Sequence, residues 1–141
     1  VRLAAALLAS FALAAQPVHE LCAPCHAEQA ADFETHPHFT KKLSCDICHG
    51  RSEKHIKAVG AAPPDRVAAP DEVPALCAPC HAIEHKDYLP TAHAKLVLAR
   101  ARQKAPNCAT CHGYHGPRPA KAQCSRCHME TPKTVPGHGN R

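Results

Sequence analysis

The chain has 141 residues, of which 4% are aromatic, none is Trp, 14 are Pro and 10 are Cys. So few large side chains cannot fill the core of an ordinary globule of this size, and the prolines restrict long helices and leave little room for sheet. The formal net charge is +5, but two Tyr and three Phe give no platform on which bases could stack, and no nucleic-acid partner is expected.

Residues 1–15 read VRLAAALLASFALAA: a single Arg2, an apolar run from Leu3 to Ala14 and a small-residue exit around Ala12 to Ala15. This is the pattern of a short secretory signal, with Val1 where an alternative start codon would place Met. About 12 apolar residues are too few to span roughly 30 Å of hydrocarbon, so no stable membrane span is expected in the mature chain. The mature protein is expected outside the cytoplasm, in the periplasm or the extracellular space.

Beyond the signal, every cysteine falls in a pair with two residues between: Cys22/Cys25, Cys45/Cys48, Cys77/Cys80, Cys108/Cys111 and Cys124/Cys127. Each pair is followed at once by a histidine: His26, His49, His81, His112 and His128. An exported chain with ten cysteines would ordinarily form disulfides, but a disulfide framework does not ask for that histidine. Zinc also takes Cys and His, yet ten Cys and five motif His would compose four-ligand sites oddly. Two thiols on one helical turn can add to the two vinyl groups on one edge of a haem, and the next residue then lies under the iron as axial ligand. The spacing therefore predicts five covalently bound c-type haems, with the ten cysteines as attachment points and His26, His49, His81, His112 and His128 as proximal ligands.

Haem also answers the shortage of core. Roughly 25 residues per haem are too few to wrap each in its own globule, so the haems must pack against one another. The expected fold is mainly α with much irregular structure and little or no β-sheet, the stacked haems forming the core. Helical pieces are expected at Glu28 to Thr35, where Pro37 should break the run, and at Thr91 to Lys104. On the latter, Lys95, Arg100, Arg102 and Lys104 form a basic face that solvent, haem propionates or an acidic partner could take up. Five haems with ionised propionates would bring the total charge to about −1 oxidised and about −6 reduced, so the sequence charge is not that of the holoprotein.

The sixth ligands must come from elsewhere in the chain. The single Met129 directly follows His128 and cannot reach the opposite face of its own haem. Eight histidines lie outside the motifs: His19, His36, His38, His55, His85, His93, His115 and His138. The two CAPCH motifs open parallel segments, in which Asp32-Phe33 matches Asp87-Tyr88 and His38 matches His93, while His55 and His115 are looser counterparts after CDICHG and CATCHG. The chain therefore reads as a di-haem module over 16–57, an Ala/Pro-rich extended linker over 58–74, a second di-haem module over 75–118 and a mono-haem segment over 119–141. His115 follows His112 by three and His85 follows His81 by four, so on a helix neither can sandwich an iron with its neighbour, and either one, as a ligand, would serve a neighbouring haem and stitch the modules together. The expected distal ligands are His38, His55, His93, His115 and His138, with His138 serving the fifth haem. His19, His36 and His85 are expected to be solvated or bonded to propionates.

CAPCH, CDICHG, CAPCH, CATCHG and CSRCH with intervening histidines resemble the class III and related multihaem cytochromes c. The alternating modules are similar to the pentahaem periplasmic donor to formate-dependent nitrite reductase and to the decahaem subunits of outer-membrane conduits. The resemblance implies bis-histidine, low-spin, low-potential haems in a chain and electron transfer rather than catalysis. The implied partners are a quinol-oxidising membrane cytochrome, a terminal reductase or an outer-membrane conduit. The alternatives are a subunit of an extracellular cytochrome filament, assembling through surplus histidines, and a multihaem reductase of nitrogen or sulfur oxyanions, which would need one open iron.

Overall fold

A computed structural model describes residues 18–100, 105–119 and 123–129. The expected signal segment, His138, Arg102 and Lys104 lie outside the described residues. Within them the chain is helical with much irregular structure and no strand, in agreement with the expected class.

The helices in chain order are α1 (Val18–Cys22), α2 (Ala27–Glu34), α3 (Pro37–Thr40), α4 (Cys45–His49), α5 (Glu53–Lys57), α6 (Val73–Cys77), α7 (Ala82–Tyr88), α8 (Ala92–Leu98) and α9 (Cys108–His112), followed by a 3₁₀ turn at Cys124–Arg126. None exceeds eight residues, and helices so short do not persist alone in water. None is long and apolar enough to cross a membrane.

Their ends are fixed locally. Pro37 opens α3 at its first position, where the missing N–H is no loss. The His36 Nδ1 accepts from the His38 N–H at 3.1 Å and caps the same helix. Thr91 Oγ1 accepts from the Ala94 N–H and starts α8, and Asn107 forms a capping box with Thr110 at the head of α9. The expected helix to Lys104 ends earlier: α8 stops at Leu98, and Arg100 turns into the left-handed region at φ 51°. There its guanidinium Nε donates to Asp71 Oδ2 at 2.8 Å.

Two helix contacts repeat. The CAPCH helix α1 packs on the CDICH helix α4, and the CAPCH helix α6 packs on the CATCH helix α9. Around them the buried apolar side chains are few and small: Ala30, Val73, Ala94, Val97, Ala105 and Pro74. Side chains this size bury little apolar area, and their hydrophobic contribution is correspondingly small. A satellite cluster joins Phe33 and Phe39 edge to face at 5.8 Å, with the His19 ring 5.2 Å from Phe39.

The segment over 58–74, expected as an extended linker, instead folds back on the first module. Ser52 N–H donates to Asp65 Oδ2 at 2.8 Å, and the Asp65 N–H donates to Ser52 Oγ at 3.0 Å. Arg66 reaches the end of α4, donating to Cys48 O at 2.7 Å and Ile47 O at 2.9 Å. Composition signalled stiffness here but carried no sign of these contacts.

Candidate haem-ligating histidine pairs

Each Cys-x-x-Cys-His is one turn of backbone. In the two CAPCH motifs the preceding helix ends at the first cysteine, and the histidine N–H reaches back four residues: His26 to Cys22 O at 3.0 Å and His81 to Cys77 O at 3.0 Å. CSRCH repeats the bond, His128 to Cys124 O at 2.9 Å. In CDICHG and CATCHG the motif itself is the helix, closed by Gly50 at φ 72° and Gly113 at φ 96°. Glycine is required at both: a Cβ on Gly50 would stand 2.9 Å from Asp65 Cβ, and one on Gly113 would overlap the Gly116 carbonyl.

All ten thiols are free, and most gather motif by motif. Cys22 lies in hydrogen-bonding reach of Cys45, and burial, with Cys45 beside it, pushes its thiol up to about 11. Cys77 is hydrogen-bonded to Cys108; the bond raises Cys77 and lowers Cys108 to about 7. Burial raises Cys48, with Cys77 and Cys80 in electrostatic range, and burial likewise raises Cys111, with Cys124 and Cys127 in range. Successive motifs are therefore neighbours from the first to the fifth.

The two thiols of the first motif differ in setting: Cys22 is half-buried against α4, whereas Cys25 is exposed. The physical reason is local: α1 ends at Cys22, and Cys25 lies in the turn beyond it, its N–H bonded back to Cys22 O at 3.2 Å. The thiols of the first motif thus stand in different surroundings, one against the second motif and one toward solvent. Cys48, Cys80 and Cys127, the second cysteines of three other motifs, are exposed as well, while Cys111 is half-buried.

His36 and His38 have ring centroids 4.5 Å apart as near neighbours in sequence, and four further histidine pairs join distant segments. His26 and His55 have ring centroids 6.0 Å apart, His49 and His115 6.0 Å, His38 and His81 5.9 Å, and His93 and His128 5.9 Å. Each pair joins one motif histidine to one of the histidines expected as distal ligands. Metal–imidazole bonds of about 2.0 Å on opposite sides of one ion, plus about 1.1 Å from nitrogen to ring centre, put the centroids about 6 Å apart. Aromatic packing alone allows 4.5–7 Å, but it gives no reason for four pairs of this one composition at one spacing. Among the described residues no three His, Cys, Asp or Glu side chains converge as an ion site.

Tautomers are set by the second ring nitrogen. His55 Nδ1 lies 2.7 Å from Ala62 O, and His49 Nδ1 lies 3.2 Å from Arg66 O. A carbonyl only accepts, so both Nδ1 atoms carry the proton and both Nε2 lone pairs stay available to a metal. Burial lowers His38, His93 and His115, with the facing His81, His128 and His49 adding to the effect. These three are thus held neutral, the form that ligates.

His36 behaves otherwise. It is 8% exposed rather than solvated, and because its Nδ1 accepts from a backbone N–H, its ring proton belongs on Nε2. That tautomer is a cap, not an Nε2 ligand. His36 nonetheless feels the charge of His112, after burial and His38, and is lowered. His19 is largely buried with Nε2 3.8 Å from Glu34 Oε1, and His85 is half-buried on α7. His138, expected opposite His128, lies outside the described residues, and His93 occupies the position facing His128.

The pairing crosses the sequence modules. His38 from the first faces a motif histidine of the second, and His115 from the second faces a motif histidine of the first. The spacing already sent His115 to a neighbouring motif, but it named neither the partner of His38 nor the carbonyls of Ala62 and Arg66, because backbone acceptors leave no signature in residue type. Comparison with protein-family models, with curated proteins and with solved structures gave no match for this chain.

Proposed function

We propose that this chain is an exported pentahaem c-type cytochrome that relays electrons between redox proteins through bis-histidine haems. The observation that carries the proposal is the set of four histidine pairs at 5.9–6.0 Å, each uniting a motif histidine with a histidine from another segment. The residues fit the cofactor: two free thiols and a following imidazole per motif, and opposed imidazoles at the separation an axially ligated iron requires. The small side-chain core supports stacked haems as the interior.

Haem supplies one-electron iron chemistry. The protein's part is to keep that chemistry outer-sphere. Paired imidazoles would fill both axial positions in either oxidation state, so little has to reorganise when an electron passes, and ligand type and burial set the potential. The neighbouring thiols, Cys22 with Cys45, Cys48 with Cys77, Cys77 with Cys108 and Cys111 with Cys124, support attachment sites that follow one another in sequence order. Such an order gives a path with the first and fifth motifs at its ends.

The test is intact mass of the purified holoprotein followed by low-temperature electron paramagnetic resonance of the oxidised form. Five haem additions with low-spin signals throughout are expected. A high-spin ferric signal would make the oxyanion-reductase reading the better one, and a mass without haem would overturn the assignment altogether. Concentration-dependent assembly of the low-spin protein would favour the filament reading over a soluble carrier.

A further inference from the structure

We infer that residues 62–66 form a clasp that positions two iron ligands, His49 and His55, and holds down the potentials of the two haems they serve; the inference rests on the haem reading proposed above.

Four observations meet in this short segment. Ala62 O accepts from His55 Nδ1 at 2.7 Å, and Arg66 O accepts from His49 Nδ1 at 3.2 Å. The Arg66 guanidinium takes the Cys48 and Ile47 carbonyls at the end of α4, the helix whose last residue is His49. This satisfies orphan carbonyls and sets a cation at the helix C-terminus. Asp65 exchanges hydrogen bonds with Ser52, the residue that precedes α5 and His55.

The surrounding backbone is shaped to admit the clasp. Ser52 is buried and held at φ 50°, a strained conformation that persists only where neighbours impose it. Its hydroxyl donates to His49 O at 3.1 Å, linking the two ligand-bearing helices directly. Gly50 leaves the space that Asp65 Cβ occupies, since a side chain there would approach it to 2.9 Å. His49 and His55 serve different pairs, one facing His115 and the other His26. A single segment thus governs one axial ligand of each of two haems.

A carbonyl accepting the Nδ1 proton makes an imidazole a stronger donor, which favours ferric over ferrous iron. Loosening the clasp should therefore raise two potentials of the five and leave three unchanged.

Arg66→Ala, Asp65→Ala and Asp65→Asn holoproteins would be followed by potentiometric titration with haem-resolved paramagnetic nuclear magnetic resonance. Arg66→Ala and Asp65→Ala are expected to shift the haems of the first and second motifs upward, by up to about ten-fold in the ferric-to-ferrous ratio, or about 59 mV for one electron. Asp65→Asn keeps an acceptor for the Ser52 N–H and should restore wild-type values. A purely structural role would move all five haems together or lower haem content without moving potentials, and either result overturns the inference. If Arg66→Ala gives no holoprotein, Asp65→Ala against Asp65→Asn decides alone. Absence of haem from the wild-type chain would instead remove the underlying reading, and intact mass reports that separately.

Discussion

The imidazole of His49, the last residue of α4, faces the imidazole of His115, two residues beyond Gly113, at 6.0 Å between centroids. His115 is adjacent in sequence to the fourth motif, yet in space its ring faces the histidine of the second. His115→Ala should therefore convert one haem to high-spin, and that haem should be the one on Cys45 and Cys48. In a Cys45→Ala/Cys48→Ala background, which lacks that haem, the same substitution should change no further low-spin signal. Additional loss in that background would place His115 on another iron.

His36 and His38 stand two residues apart with different tasks. Because His38 faces His81, His38→Ala should give a single high-spin signal from the third haem. His36→Ala should leave all spin states unchanged and cost about 1 kcal/mol through loss of the α3 cap. His36→Asn, which can cap, should recover most of that stability in thermal melts. A high-spin signal in either His36 variant would mean that this histidine ligates iron.

Asn107 is 3% exposed, caps α9 and donates from Nδ2 to Pro70 O at 3.0 Å. Its replacement by Ala removes a capping box and the hydrogen bond to the Pro70 carbonyl, so Asn107→Ala is expected to destabilise the holoprotein by about 1–2 kcal/mol. Denaturant titration monitored by Soret absorption would measure this. A loss below about 0.5 kcal/mol would show that the α9 cap is dispensable once haem is attached.

Gly113 combines φ 96° with contact against the Gly116 carbonyl. Gly113→Ala must move the turn that carries His115, and a cost of about 2–3 kcal/mol is expected from strain and overlap. The accompanying sign is spectroscopic: the second haem should lose low-spin character before the fourth, although the mutation lies beside the fourth motif. Equal loss at both haems would argue for general unfolding of the segment.

The candidate attachment motifs were legible in the sequence because the spacing of Cys and His marks them directly. What spacing could not report was the unequal setting of the paired thiols, since Cys22 and Cys25 differ in exposure only through the end of α1 and its packing on α4. The helical class was legible too, since so many prolines and so few aromatic residues left little else. Repeat alignment pointed to His38 and His93, and each now faces a motif histidine. Alignment could not say which one, because a repeat reports equivalence of position rather than contact, and two similar modules can exchange arms without changing a residue. The length of α8 was overread for a related reason: the helical pattern continued past Leu98, but the Arg100 interaction with Asp71 turned the backbone away. The packed segment over 62–66 was hidden because each of its hydrogen bonds has a backbone group on one side.

The exchange of histidines also sets a timetable. If the chain is exported as proposed, amino end first, the His26 pair is completed when His55 appears and the His38 pair when His81 appears. His49 must wait for His115, and His93 for His128. The second motif, early to emerge, is thus among the last to receive its partner. An unfinished chain should hold that site half-made until His115 appears, and truncation before His115 should leave a defect near the amino end of the protein rather than at the cut.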